Sequence, residues 1–228
     1  MPRLPGLEHA KVRAKAIFWD LQSLVWDDYL DIAGFRDEID QTAAWLDSYV
    51  EAGTRVLDLG CGTGNYSLSV ARLGHAVTGI DFASGMLRRA AVKARALPDL
   101  RVEFCSVDFD LPLPFERGSF GAAVALAVLQ CSANPAFLLA QVNRVLCSQG
   151  VLLIGVLDPA GRSAAKPQLR MTPLRWLARQ AKGLAGRAGS VRRHSREDLW
   201  RLTAGAGLQV LEQRQVQGMV LLLCRKQP

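Results

Sequence analysis

The stretch Val56-Leu57-Asp58-Leu59-Gly60-Cys61-Gly62-Thr63-Gly64-Asn65 constrains this chain more than any other. A run of strand character meets three alternating glycines, and helix-forming residues follow. Such a turn brings bare backbone N–H groups and a helix N-terminus to one point, where a ligand can approach. A dinucleotide-binding turn wants glycine at the sixth place of G-x-G-x-x-G, so that its helix packs closely on the strand. Asn65 holds that place here, and Asp58 within the strand is foreign to that pattern. A glycine turn that holds no ligand is the other alternative.

Strands and helices alternate around this motif. Residues 10–51 have helical spacing through Ile17, Leu21, Leu24, Val25, then Ile39, Ala43, Leu46 and Val50, with Gly53 as a stop. Strands are predicted at 55–59, 76–80, 101–106, 122–126 and 151–157, with helices at 65–73, 86–96 and 135–146 between them. Apolar strands separated by helices argue for a parallel sheet covered on both faces. The tail adds a helix at 196–204, with Ser195 and Asp198 spaced as a capping box. Two further apolar segments, 208–213 and 219–224, are joined closely enough to form an antiparallel pair.

Further sites follow in register. Gly79-Ile80-Asp81-Phe82 ends the second strand with an acid, and Ser106-Val107-Asp108-Phe109 ends the third. Leu113-Pro114-Phe115-Glu116-Arg117-Gly118-Ser119-Phe120 leads into the fourth, and Asn143-Arg144-Val145-Leu146 with Gln149-Gly150 precedes the fifth. Taken in this order, from about residue 35 to 225, they resemble the class I S-adenosylmethionine-dependent methyltransferases, in particular small-molecule members of the type 11 kind.

That resemblance implies a Rossmann-like α/β fold, a mostly parallel seven-stranded sheet with an antiparallel C-terminal hairpin and helices on both faces. It implies one domain, 1–228: N-terminal helices (1–52), a cofactor-binding core (53–158), a basic lid (159–194) and a C-terminal helix and strand pair (195–228). The cofactor would be S-adenosylmethionine, leaving as S-adenosylhomocysteine. Asp81 would grip the ribose, while Asp108 (or Asp110) and Phe109 would meet the adenine. Gly60, Cys61, Gly62, Thr63, Gly64 and Asn65 would form the loop under the methionine, with Asp58 supporting that loop or approaching the ammonium. Leu126 would offer its carbonyl to the amino group. Phe82 and Met86 would border the adenosine, and Trp26 and Tyr29 would close over it from the N-terminal helices.

Transfer of a sulfonium methyl needs alignment more than strong acids, so no dedicated base is required. Gln130 and His194 are the candidate catalytic residues, although Gln130 cannot take a proton at neutral pH. Gln130 and Cys131 stand where many relatives carry histidines, and Gly121 stands where the family has an aspartate. His75 reads as structural. The acceptor is expected to be small and hydrophobic, methylated at oxygen, nitrogen or carbon. A non-catalytic cofactor-binding partner protein, or methylation of tRNA or protein, are the alternatives.

Charge marks one more segment. Ten Lys and Arg and no acid lie between Arg162 and Arg196, while the remaining 18 of the 28 basic residues are outnumbered by 21 acids. Thr172-Pro173 opens a short basic amphipathic helix there. It is either a solvated lid, a dock for an anionic membrane surface, or a contact for anionic or nucleic-acid substrates. Nucleic acid is disfavoured because no Asn/Asp-Pro-Pro-Tyr motif follows the fourth strand. Five cysteines without paired spacing read as reduced thiols, no metal framework is visible, and the N-terminus has no signal core. A cytoplasmic, possibly membrane-peripheral, enzyme is the expectation.

Overall fold

The computed structural model describes residues 5–32, 35–157, 194–216 and 218–228. The amphipathic helix read from Thr172, and the basic segment up to Arg193, lie outside the described residues. Two helices open the fold, α1 (Pro5–Ile32) and α2 (Phe35–Asp47). The alternating core follows as β1 (Arg55–Leu59), α3 (Asn65–Arg72), β2 (Ala76–Asp81), α4 (Ser84–Arg95), β3 (Val102–Ser106) and β4 (Phe120–Leu126). After a 3-10 turn (Leu129–Cys131) come α5 (Pro135–Val145), β5 (Leu146–Leu157), α6 (Arg196–Gly205), β6 (Leu208–Val216) and β7 (Met219–Lys226).

The seven strands form one sheet in the order β3-β2-β1-β4-β5-β7-β6. The pairings β1–β2, β1–β4, β2–β3 and β4–β5 are parallel, and β7 runs antiparallel to both β5 and β6. Side chains alternate across the sheet and feed two cores. Leu57, Ala123, Leu152 and Ile154 face the core built with Leu138 and Leu139 of α5 and Leu199 of α6. Val56, Val124 and Leu153 face the opposite core, with Trp45 and Leu46 of α2 and Val70 of α3. Burial on both faces explains why these strands read as continuous apolar runs.

Several boundaries differ from those the sequence predicts. The first helix begins at Pro5 rather than residue 10, and α2 stops at Asp47 rather than 51. There the backbone tightens, with Tyr49 N donating to Leu46 O at 3.0 Å, and Ser48 Oγ donating to Trp45 O at 2.8 Å. Gln149-Gly150, read as the turn before a strand, lies inside β5, which already starts at Leu146. A register shift opposite Phe120 and Ala122 absorbs the extra residues, and Gln149 takes a φ of 61°. The hairpin strand β6 runs on to Val216 and carries a second register shift between Val210 and Glu212.

The chain passes from β1 outward through β2 and β3, then returns to β4 on the other side of β1. A crevice therefore opens at the C-terminal ends of β1 and β4, the switch point where α/β sheets place their ligands. The glycine motif occupies that point. No described helix is long and apolar enough to cross a membrane.

Candidate functional site

Two buried acids flank the glycine loop. Asp58, 3% exposed at the end of β1, accepts a hydrogen bond from Ser67 Oγ at 2.5 Å. Burial raises its carboxyl, against the pull of the Ser67 bond, and the nearby Asp81 adds to the rise, to about 7. Asp81 ends β2 with both oxygens engaged: Oδ2 accepts from Gly62 N at 3.0 Å and Oδ1 from Ala83 N at 2.8 Å. Burial pushes Asp81 up as well, and those backbone N–H groups oppose it. One carboxylate therefore fixes both the glycine loop and the start of α4.

Two of the glycines are required by space. A Cβ on Gly60, at φ 64°, would stand 2.6 Å from Val128 Cγ2, and one on Gly64, at φ 78°, 2.7 Å from Phe104 Cζ. Neither conformation nor room suits a side chain. Gly62 faces a gap bordered by Met86 and Trp26: an added Cβ would lie 3.9 Å from Met86 Sδ and from Trp26 Nε1. Met86 is buried. Trp26 belongs to an aromatic chain along α1, with ring centroids 5.7 Å from Trp19 and 5.9 Å from Tyr29. Tyr29 is 39% exposed and its ring lies between Trp26 and Phe35.

At the ends of β3 and β4 the candidates separate. Asp110 is committed to the segment after β4, its Oδ1 accepting from Ser132 Oγ and Ala133 N, both at 2.7 Å. Asp108 makes a local turn, accepting from Asp110 N at 3.0 Å. Phe109 is a core residue, edge-on to Phe82 at 5.5 Å. Leu126, half-buried, closes β4, and Gln130 lies buried in the 3-10 turn beyond it. Burial pushes the Cys131 thiol up to about 11, with Lys15 pulling against it, so it stays protonated at neutral pH. Lys15 Nζ donates to Cys131 O at 2.9 Å. His194 directly precedes the Ser195 cap of α6, and its buried Nε2 has no hydrogen-bond partner among the described residues. His75 is structural, its Nε2 2.8 Å from Asp47 Oδ1.

This loop, these strand-end acids and this strand order coincide with what comparison finds. Residues 57–154 match the family model described as a methyltransferase domain. Residues 57–154 of this chain are therefore similar to methyltransferase domains. The ubiquinone biosynthesis O-methyltransferase of Xanthomonas oryzae pv. oryzae is 34% identical over 144 residues, 62% of this chain and 56% of that protein. The demethylmenaquinone methyltransferase of Tropheryma whipplei is 36% identical over 105 residues, 46% of this chain and 42% of that protein. The chain thus spans about half the length of the curated relatives it matches. Among solved structures, the magnesium protoporphyrin IX methyltransferase of Synechocystis PCC 6803, with bound S-adenosylhomocysteine, aligns at a TM-score of 0.62. The two share 19% identity, and the alignment covers 85% of this chain and 84% of that one. At that identity the likeness speaks for the fold alone.

The fold also brings in residues that no sequence motif marks. Ser67 is simply the third residue of α3, and Lys93 lies on the inner side of α4. Asp20 Oδ1 accepts from Gly85 N at 2.5 Å, at the first turn of α4. Asp27 Oδ1 accepts from Thr63 Oγ1 and Asn65 Nδ2 of the glycine loop. A signal existed: Asp20 and Asp27 are seven residues apart, and so share one face of an otherwise aromatic helix.

Proposed function

We propose that this chain transfers the methyl group of S-adenosylmethionine to a small, hydrophobic acceptor with a hydroxylated or quinone-type ring. The observation that carries the reading is the Gly62–Asp81 bond, which presents a fixed loop beside a buried, fixed carboxylate. A carboxylate has about four acceptor positions, so Asp81 keeps capacity for ribose hydroxyls beyond its bonds to Gly62 and Ala83. The gap above Gly62 is bordered by Met86 and Trp26, which fits an apolar and positively charged ligand. The residues present therefore fit the methyl donor.

In this reading Asp81 holds the ribose, with Phe82 and Met86 along the adenosine and Asp108 toward the adenine. The loop from Gly60 through Cys61, Gly62, Thr63 and Gly64 to Asn65 backs the methionine portion, with Asp58 beneath it and the Leu126 carbonyl opposite. Trp26 closes the site, and Tyr29 supports Trp26. When bound, S-adenosylmethionine supplies an electrophilic methyl on a positively charged sulfur. Val128 and Leu129, both buried, keep water from the mouth of β4. Gln130 orients the acceptor by hydrogen bonding, and the acceptor's own proton passes to solvent. Alignment of this kind is worth an effective molarity of about 10⁵–10⁸ M, so the chain needs no base.

The relatives' names support a ring acceptor, since both refer to quinones. A cofactor-binding role without methyl transfer is the second reading, favoured by Gly121. A Cβ there would stand 2.8 Å from Thr54 Cγ2, so the strand-four position where relatives carry an acid has no room for one. The test is S-adenosylhomocysteine formation with a panel of hydroxylated quinones and hydroquinones, beside bulk tRNA. Product with the ring acceptors alone is the expected result. Product with tRNA alone would contradict the acceptor class, and cofactor binding without turnover on any acceptor would favour the second reading.

A further inference from the structure

Three polar contacts of α1 converge on one atom. Asp27 Oδ1 accepts from Thr63 Oγ1 at 2.6 Å, from Asn65 Nδ2 at 2.8 Å and from Lys93 Nζ at 3.0 Å. Lys93 Nζ also donates to Asn65 Oδ1 at 2.8 Å, and Asn65 Nδ2 lies 3.0 Å from Thr63 Oγ1. Four side chains from α1, the glycine loop and α4 thus close into one network. Thr63, buried at 1% exposure, points its hydroxyl proton at Asp27. Asn65 has its amide orientation set by donating to Asp27 and accepting from Lys93.

Burial alone would raise the Asp27 carboxyl, but the bonds from Thr63, Asn65 and Lys93 outweigh it and hold it below the usual range. Burial lowers Lys93, and Asp27 opposes that shift without overcoming it. The residue before Asp27 is Trp26, whose indole borders the gap above Gly62. A molecule lying on Gly62 is covered on that side by the turn of α1 that Asp27 fastens.

We propose that Asp27 is a positioning residue for the methyl donor, tying the glycine loop in its binding shape and, through Lys93, latching α1 over it. This rests on the reading that the glycine loop holds S-adenosylmethionine. Loss of the latch loosens the loop and the cover together, so it acts on donor affinity chiefly through faster release. It leaves the rest of the fold in place, because α1 remains bonded through Asp20 to Gly85 and through Lys15 to Cys131.

The test measures S-adenosylhomocysteine affinity and dissociation rate in the wild type, Asp27→Ala, Asp27→Asn, Lys93→Met and the Asp27→Asn/Lys93→Met double variant. Asp27→Ala is expected to weaken binding by about 10–100-fold, the range for hydrogen bonds to a charged group. Asp27→Asn keeps the size and the Oδ1 acceptor, so it folds as the wild type does and shows a smaller loss. Raising ionic strength should speed release from the wild type and not from Asp27→Asn or Lys93→Met, since only the wild type has an ion pair to screen. The double variant should lose less than the sum of its two single changes. Asp31→Asn is the control: it breaks the exposed Asp31–Arg36 pair at the other end of the same turn region and should leave affinity unchanged. Unchanged affinity and salt response in folded Asp27→Asn would overturn the latch while leaving the cofactor reading intact. A wild type that binds no S-adenosylhomocysteine would overturn both.

Discussion

Asp58 is a buried acid with no cation beside it among the described residues. Its bond from Ser67 and the proximity of Asp81 leave burial in control, which is why its carboxyl rises to about 7. The native chain therefore holds a proton that the unfolded chain releases above about 4. Stability from this group is full below that pH and is lost as pH rises toward 7. Thermal unfolding of the cofactor-free protein should show this decline, and Asp58→Asn should flatten it; an equal slope in the variant would contradict the assignment. Asp58 and Asp81 were legible as strand-end acids in the sequence. Ser67, Asp27 and Lys93 were not, because their roles depend on contacts across 9, 36 and 66 residues of chain. How Asp108 and Asp110 differ in their partners was also beyond the sequence. Asp110 is engaged by the Ser132 hydroxyl and the Ala133 N–H, contacts that span 22 and 23 residues of chain.

At the scale of elements, local chemistry was readable where it was self-contained. The capping box of α6 forms as its spacing predicts, with Asp198 N donating to Ser195 Oγ and Ser195 N to Asp198 Oδ2, both at 3.1 Å. The β5 boundary was misread because Gln149-Gly150 has turn chemistry, yet the neighbouring strand tolerates a bulge there. The α1 helix shows the limit most clearly. Its aromatic residues signal a buried face, but Ile17 and Leu24 of the same helix are exposed, and Lys15, Asp20 and Asp27 add polar contacts to the rest of the fold. If Trp26 covers the donor, Trp26→Ala should raise cofactor dissociation about fivefold or more without unfolding the chain. Unchanged release, measured by stopped-flow displacement, would place Trp26 in packing alone.

For the whole molecule, the strand order is what converts a sequence motif into a site. Alternation of strand and helix implies a parallel sheet, but only the pairing of β1 with both β2 and β4 puts the glycine loop at a crevice. The far edge was less legible, since β7 slots between β5 and β6 and the hairpin alone does not say which strand lies inside. Lys226 Nζ helps fasten that edge, donating to Asn143 O at 2.7 Å and Leu146 O at 2.6 Å. In the proposed function this crevice binds the methyl donor through Asp81. Calorimetric titration with S-adenosylhomocysteine, wild type against Asp81→Ala, tests it most directly. Clear binding by the wild type, lost in a variant that remains folded, is the expected result. A folded, cofactor-free wild type that binds nothing, or an Asp81→Ala variant that binds equally well, would contradict it.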